Sequence, residues 1–167
     1  LTLEQADASI QPNLEKAINS SGFLSNLLAV LANAPVALQA YQDLSALNAK
    51  ASLSLAEREV VQLVAGTTHC CTCCVAGHTS LATHKAKLDP IDIQALRAVA
   101  LFTEQIILTR AKVSDPVLNA FYDEGYGPQQ ALEIITGVGL ATICNFANNL
   151  AHTPLNSQLE DYAWHTN

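Results

Sequence analysis

The stretch LSLAEREVVQLVAGTTHCCTCCVAGH, running from Leu53 to His78, decides the fold class. Ser54 followed three residues later by Glu57 has the form of a capping box, in which each side chain satisfies the other residue's free backbone N–H at a helix start. A helix therefore begins at Leu55, and the apolar spacing carries it to about Thr67. The segment from about Cys71 to Lys87 is the next helix, closed by Leu88, Asp89 and Pro90. Outward from this pair the same pattern continues: apolar residues recur at three and four, Gly and Pro sit between segments, and no stretch alternates for long in the manner of a strand. Helices are expected from Pro12 to Ser20-Ser21-Gly22, around Ser25 to Ala32, from Pro35 to about Ala49, and from about Ile91 to Thr109. Two more run from Ser114-Asp115-Pro116 to Gly125 or Gly127, and from Pro128 to about Ala151. The fold class is all-α, a single domain over residues 1–167 with its motif-bearing core at about 45–110. Residues 153–167 read as a polar tail, the last long helix as buried, and Gly137 and Gly139 as points of close helix approach.

Hydrophobic residues make up 50% of the 167, enough to bury a sizeable core, whereas charged residues make up only 14%. A monomer would struggle to cover itself with so little charge, so a homo-oligomer with buried interfaces is expected. The formal net charge of −7, with Lys50, Lys85, Lys87, Arg97, Arg110 and Lys112 scattered, argues against nucleic acid or an anionic membrane as partner. No run approaches the roughly 18 apolar residues of a membrane span. The start, LTLEQADASI, has neither a basic nor an apolar leader region. Five cysteines, four of them within five positions, are unlike the spread pairs of a secreted disulfide framework, and a reducing, cytoplasmic location is expected.

The cysteine cluster admits several C-x-x-C readings, and helical geometry chooses among them. At about 100° per residue, Cys71, Cys74 and His78 fall within roughly 60° of one another, while Cys70 and Cys73 point elsewhere. Cys73 has Gly77 four residues on, so the pair with a base is Cys71 and Cys74. A thiol with a pKa near 8.5 needs a helix N-terminus or an imidazole to become a thiolate at neutral pH; Cys71 has the first and Cys74 the second. Helical neighbours at i and i+3 have Cβ atoms about 5 to 6 Å apart, wider than a disulfide prefers, so oxidation is expected to strain or unwind the first turn. His78 would act better beside a carboxylate that fixes its tautomer, and Glu57 and Glu59 are the candidates. Glu57 already caps a helix, which favours Glu59.

These residues resemble the signature of the AhpD-like (alkylhydroperoxidase) branch of the carboxymuconolactone decarboxylase superfamily. In that family a helical glutamate precedes the first Cys of C-x-x-C by twelve residues and a His follows the second by four; Glu59, Cys71, Cys74 and His78 match each spacing. The segment from Asn145 to Asn156 resembles the end of the family's longer members. The resemblance implies an all-α fold assembled as trimers or hexamers, acting as a thiol-dependent peroxidase on hydroperoxides. It implies that Cys74 attacks the peroxide, Cys71 resolves the product, and Glu59 with His78 relays protons. No cofactor and no metal is implied, only an external dithiol reductant such as a lipoyl group or a thioredoxin-like protein. One departure stands out: where the best-known members place a His immediately before the second Cys, this chain has Cys73.

Other readings compete. Cys71, Cys74 and His78 could be three zinc ligands, with His69, His84, Cys144 or His152 as a fourth, making a zinc-stapled interaction protein. Lactone decarboxylation, the chemistry of the superfamily's namesake, does not require a redox dithiol. Cys144 and Cys73 read as small core hydrophobes, His69 and His84 as solvated or capping residues, and Asn145, Asn148 and Asn149 as structural.

Overall fold

The computed structural model describes residues 1–86 and 93–165. The order of elements is α1 (Gln11–Ser21), α2 (Asn26–Leu31), α3 (Pro35–Asn48), α4 (Leu55–Thr68), α5 (Thr72–Lys85), α6 (Ile93–Thr109), α7 (Asp115–Asp123), α8 (Pro128–Leu150) and a 3-10 helix (Ser157–Tyr162). Among the described residues there is no strand, and the all-α class stands. The expected stop at Leu88-Asp89-Pro90 and the start of a helix at Ile91 lie outside the described residues.

Local chemistry explains most boundaries. The Ser54 side chain accepts from the Glu57 N–H while Glu57 accepts from the Ser54 N–H, so the capping box that opens α4 is present in both directions. Ser25 caps α2 through the Leu28 N–H. Pro12, Pro35, Pro116 and Pro128 each occupy a first-turn position, where the missing N–H costs nothing. Gly22, at φ +83°, ends α1 in the left-handed conformation.

α4 is the hub, packed against α5, α6 and α8. One core cluster joins Val61 of α4 to Val99, Phe102 and Ile106 of α6, Phe121 of α7 and Ile134 of α8, and Phe121 stacks on both Phe102 and Tyr126. A second cluster, built from Leu14, Leu31 and Leu38 with Ile10, Ala6 and Ala32, fixes α1, α2 and α3 over the far end of α8. Between the two lies a third, made of Cys71, Cys74, Leu140 and Cys144 with Leu27, Tyr41 and Leu44 around it.

Three expectations need correction. Gly137 does permit close approach, since an added Cβ would sit 3.0 Å from Val61 Cγ1, but an added Cβ at Gly139 would meet nothing within 4 Å. The tail is no loose appendage: the 3-10 helix packs on α5, and Asn26 bonds to the Asn156 side chain and the Pro154 carbonyl. α8 is long and apolar enough, by length and composition, to cross a membrane, with a mean hydropathy of 1.3. It packs instead against α2, α3, α4, α5 and α6, the arrangement of a core helix. That helix is nonetheless far from wholly buried, with Leu132, Ile135, Phe146 and Leu150 exposed.

Candidate active site

The backbone turns sharply between α4 and α5. His69 closes α4, Cys70 takes a left-handed φ of +54°, and the Cys71 N–H returns to the Gly66 carbonyl. Gly66 lets the two helices cross closely here, since an added Cβ would lie 3.0 Å from Val75 Cγ2. The turn leaves Cys71 as the N-cap residue of α5, with extended backbone angles, and Cys74 in the first helical turn. The stripe of Cys71, Cys74 and His78 therefore forms, with one correction. Cys71 stands just outside the helix rather than in it, which lets its sulfur fold over the first turn. The two Sγ atoms lie 2.6 Å apart as free thiols.

Each thiol feels the other first. Cys74 donates its S–H to Cys71, and with help from the Cys74 backbone amide, Asn148 and the charge of His78 this brings the Cys71 thiol down to about 7, against the opposing effect of burial. Donating that hydrogen raises the pKa of Cys74, and burial and the Cys71 charge add to the rise. The pair thus holds one proton between two sulfurs. Cys144, beside them, is pushed up to about 12 by burial and stays a neutral thiol. Burial likewise pushes Tyr41 up to about 12.

Glu59 is buried on α4, and its Oε2 lies 2.7 Å from Nδ1 of His78 on α5. A carboxylate accepts, so the hydrogen on Nδ1 is directed to Glu59 and Nε2 is the nitrogen left to exchange a proton. Glu57 is engaged elsewhere, in the capping box and as acceptor for the Tyr126 hydroxyl at 2.5 Å. Glu59, His78 and Cys74 together line a cavity of about 530 Å³. Its remaining wall is largely apolar and includes Phe23, Leu28, Tyr41, Leu155 and Leu159.

Residues 35–113 match the model of the carboxymuconolactone decarboxylase family. The match is confined to this part of the chain. The matched segment spans α3 to the end of α6 and contains Glu59, Cys71, Cys74 and His78. No curated protein matches the sequence. Among solved structures, the fold is similar to the alkylhydroperoxidase AhpD core of an uncharacterized peroxidase-related protein from Ralstonia eutropha JMP134. The TM-score is 0.79 at 20% identity, covering 95% of this chain and 91% of that one. An uncharacterized peroxidase-related protein from Silicibacter sp. TM1040 is similar at TM-score 0.77 and 18% identity, with 95% and 92% covered. The debrominase Bmp8, as its C82A variant with 2,3,4-tribromopyrrole, is similar at TM-score 0.76 and 14% identity, with 93% and 89% covered. At these identities the likeness establishes the AhpD-like fold.

Outside the matched segment lies a residue that the sequence assigned to structure alone. Asn148 is buried, and its Nδ2 reaches Cys74 Sγ at 3.3 Å and Cys71 Sγ at 3.8 Å. The signal was available: three asparagines on an otherwise apolar helix need partners. Asn145 takes His69 Nδ1 at 3.1 Å and Asn149 the His69 carbonyl at 2.7 Å, so His69 is held by α8 and by the edge of Phe146. Cys73 is half-buried and donates to the Thr153 carbonyl at 3.1 Å, a more polar role than a core hydrophobe. His84 is exposed and pairs with the Tyr162 hydroxyl. Among the described residues no three His, Cys, Asp or Glu side chains come together in a way that could hold a metal ion, so the zinc-staple reading finds no ligand set there.

Proposed function

We propose that the protein is a thiol-dependent peroxidase that reduces hydroperoxides through a Cys71–Cys74 dithiol/disulfide cycle. The observation that carries this reading is the juxtaposition of two free thiols 2.6 Å apart with a buried Glu59–His78 pair on the wall of one apolar cavity. Cys74 lines that cavity and Cys71 does not, which supports Cys74 as the sulfur that meets the peroxide. Its proton passes to the imidazole as the sulfur attacks the distal peroxide oxygen, the O–O bond breaks, and the alkoxide takes that proton and leaves as alcohol. Cys74 is then a sulfenic acid. The Cys71 thiolate attacks it, the S–S bond forms, and hydroxide leaves with a solvent proton as water. An external dithiol supplies the two electrons and two protons that restore the pair. Asn148, through its donor to both sulfurs, stabilises whichever carries the charge.

The test is a thiol count before and after one equivalent of cumene hydroperoxide. Two thiols per chain should disappear and return with a dithiol. Cys74→Ser should abolish peroxide consumption, whereas Cys73→Ser should keep most of it. An unchanged thiol count, or equal loss in both variants, overturns the reading. The working form is a homo-oligomer, for reasons of surface composition taken up below.

A further inference from the structure

The cavity over Cys74 is walled mainly by hydrocarbon, and most of its hydrogen-bonding side chains are already engaged within the chain. Arg58 donates to the Leu53 carbonyl, Gln62 to the Gly137 carbonyl and Cys73 to the Thr153 carbonyl, while Asn148 is turned to the two sulfurs. Three residues of α3 that line the same cavity differ. Tyr41, Ser45 and Asn48 are half-buried and share one helix face by their spacing of four and three. Among the described residues none of their side chains has a hydrogen-bond partner. Tyr41 stands next to the thiols, its ring packed against the cluster of Cys71, Cys74, Leu140 and Cys144. Its hydroxyl is not sealed in the packing, since the enclosed side-chain polar atoms without a partner, among the described residues, are Asn148 Oδ1 and Thr153 Oγ1. Burial first, and then negative charge on Cys144 or Cys74, holds this phenol up at about 12, so it stays a neutral O–H donor throughout the neutral range.

We infer that Tyr41 is a catalytic residue of the peroxide step, its hydroxyl donating to the departing peroxide oxygen. The inference rests on the peroxidase reading above and adds to it a residue beyond the Glu59–His78 pair. When the Cys74 sulfur attacks one peroxide oxygen, the other departs along the line of attack, on the side away from the sulfur. Cys74 and His78 both come from α5, whereas Tyr41 reaches the cavity from α3, and a donor from a different wall suits that departure. As the O–O bond breaks, its electron pair goes to the departing oxygen, and the hydrogen bond from Tyr41 meets the charge where it develops. The proton that completes the alcohol comes from His78, and the phenol keeps its own. The sulfur gives up two electrons in becoming a sulfenic acid, and the peroxide takes the same two.

The test uses Tyr41→Phe, which removes the hydroxyl and keeps the ring. Oxidation of the reduced pair is followed as thiol loss with cumene hydroperoxide and with peracetic acid, whose departing carboxylate is stable without a donor. The variant should be slowed about a hundredfold with the hydroperoxide, the scale of one lost transition-state donor, and less than about threefold with the peracid. Equal slowing with both oxidants is what a merely structural defect gives, and no slowing with either leaves the hydroxyl idle; each result overturns the inference. Alkylation by iodoacetamide, in which no oxygen departs, should keep its pH midpoint in the variant, and a shifted midpoint assigns the loss to disturbed thiols and overturns it as well. Binding of cumyl alcohol, the product of cumene hydroperoxide, is measured on the reduced protein by titration calorimetry and needs no turnover. Tyr41→Phe should weaken it about fivefold, the scale of one neutral hydrogen bond, and equal or absent binding overturns the inference. Should cumene hydroperoxide leave the parent's thiols intact while that fivefold difference holds, the peroxidase reading falls and Tyr41 stands as the cavity's donor to a ligand oxygen.

Discussion

In the proposed cycle Glu59 and His78 serve the thiols only as a pair. The carboxylate holds Nδ1–H of the imidazole and leaves Nε2 to exchange the proton, and a neutral amide in its place would no longer enforce that orientation or support the charged ring. Glu59→Gln should therefore slow oxidation of the pair by hydroperoxide roughly a hundredfold, the scale of a lost general base, with the thermal midpoint little changed. Stopped-flow fluorescence or thiol loss with time measures it, and an unchanged rate would remove the relay. The thiols supply a second prediction. With Cys71 held down at about 7, the thiolate fraction is half at that pH, grows above it and falls about tenfold for each unit below. Alkylation by iodoacetamide and the thiolate absorbance should share that midpoint, while Cys144, pushed up to about 12, stays unlabelled. Asn148→Leu removes a donor 3.8 Å from the charged sulfur, one of the smaller causes of its lowered pKa, and should move the midpoint upward. A midpoint that does not move would return Asn148 to a purely structural role.

Helices and their ends account for what was readable at the scale of elements. The capping box at Ser54 and Glu57, the first-turn prolines and Gly22 are local signals, decided by a few adjacent residues, and each boundary falls within a residue or two of expectation. The spacing of Glu59, Cys71, Cys74 and His78 was equally legible, because residues on one helix or on two consecutive helices keep their register. Three features were not. Cys71 lies one position outside its helix because the α4–α5 turn needs a left-handed Cys70 and a return bond to Gly66, which no periodicity announces. Asn148 and the 3-10 helix reach the site from 74 or more residues away, through contacts that only the packed structure specifies. The two glycines of α8 look alike in sequence and differ in space. Gly137→Ala puts a methyl 3.0 Å from Val61 Cγ1 and should cost about 1 to 3 kcal/mol by overpacking. Gly139→Ala meets nothing within its own chain and should stabilise the single chain by up to about 1 kcal/mol, since glycine is a poor residue in a helix interior. Urea denaturation of the two variants should give opposite signs.

For the whole molecule the outstanding question is what covers α8. Leu132, Ile135, Phe146 and Leu150 are 65%, 41%, 56% and 85% exposed. At about 100° per residue they fall, with the open Gly139, within roughly 60° of one another along the full length of the helix. A continuous apolar stripe of that kind on a chain with only 14% charged residues marks an interface rather than a solvated face. We propose a second copy of this chain as its occupant, because a permanent self-contact explains why the sequence spends so few charges on its surface. The stripe also adjoins the site, since Phe146 packs its edge against His69, the residue at the turn into Cys71. Leu132 and Leu150 have little to lose in an isolated chain, so the double variant Leu132→Glu with Leu150→Glu should keep its helical circular dichroism while burying four charges' worth of repulsion in any symmetric dimer contact. Sedimentation velocity should find the parent as a defined multiple of its 17.8 kDa chain and the double variant shifted to the single chain. A parent that sediments as one chain, or a variant that assembles as well as the parent, would mean that the stripe is covered by something other than a second copy.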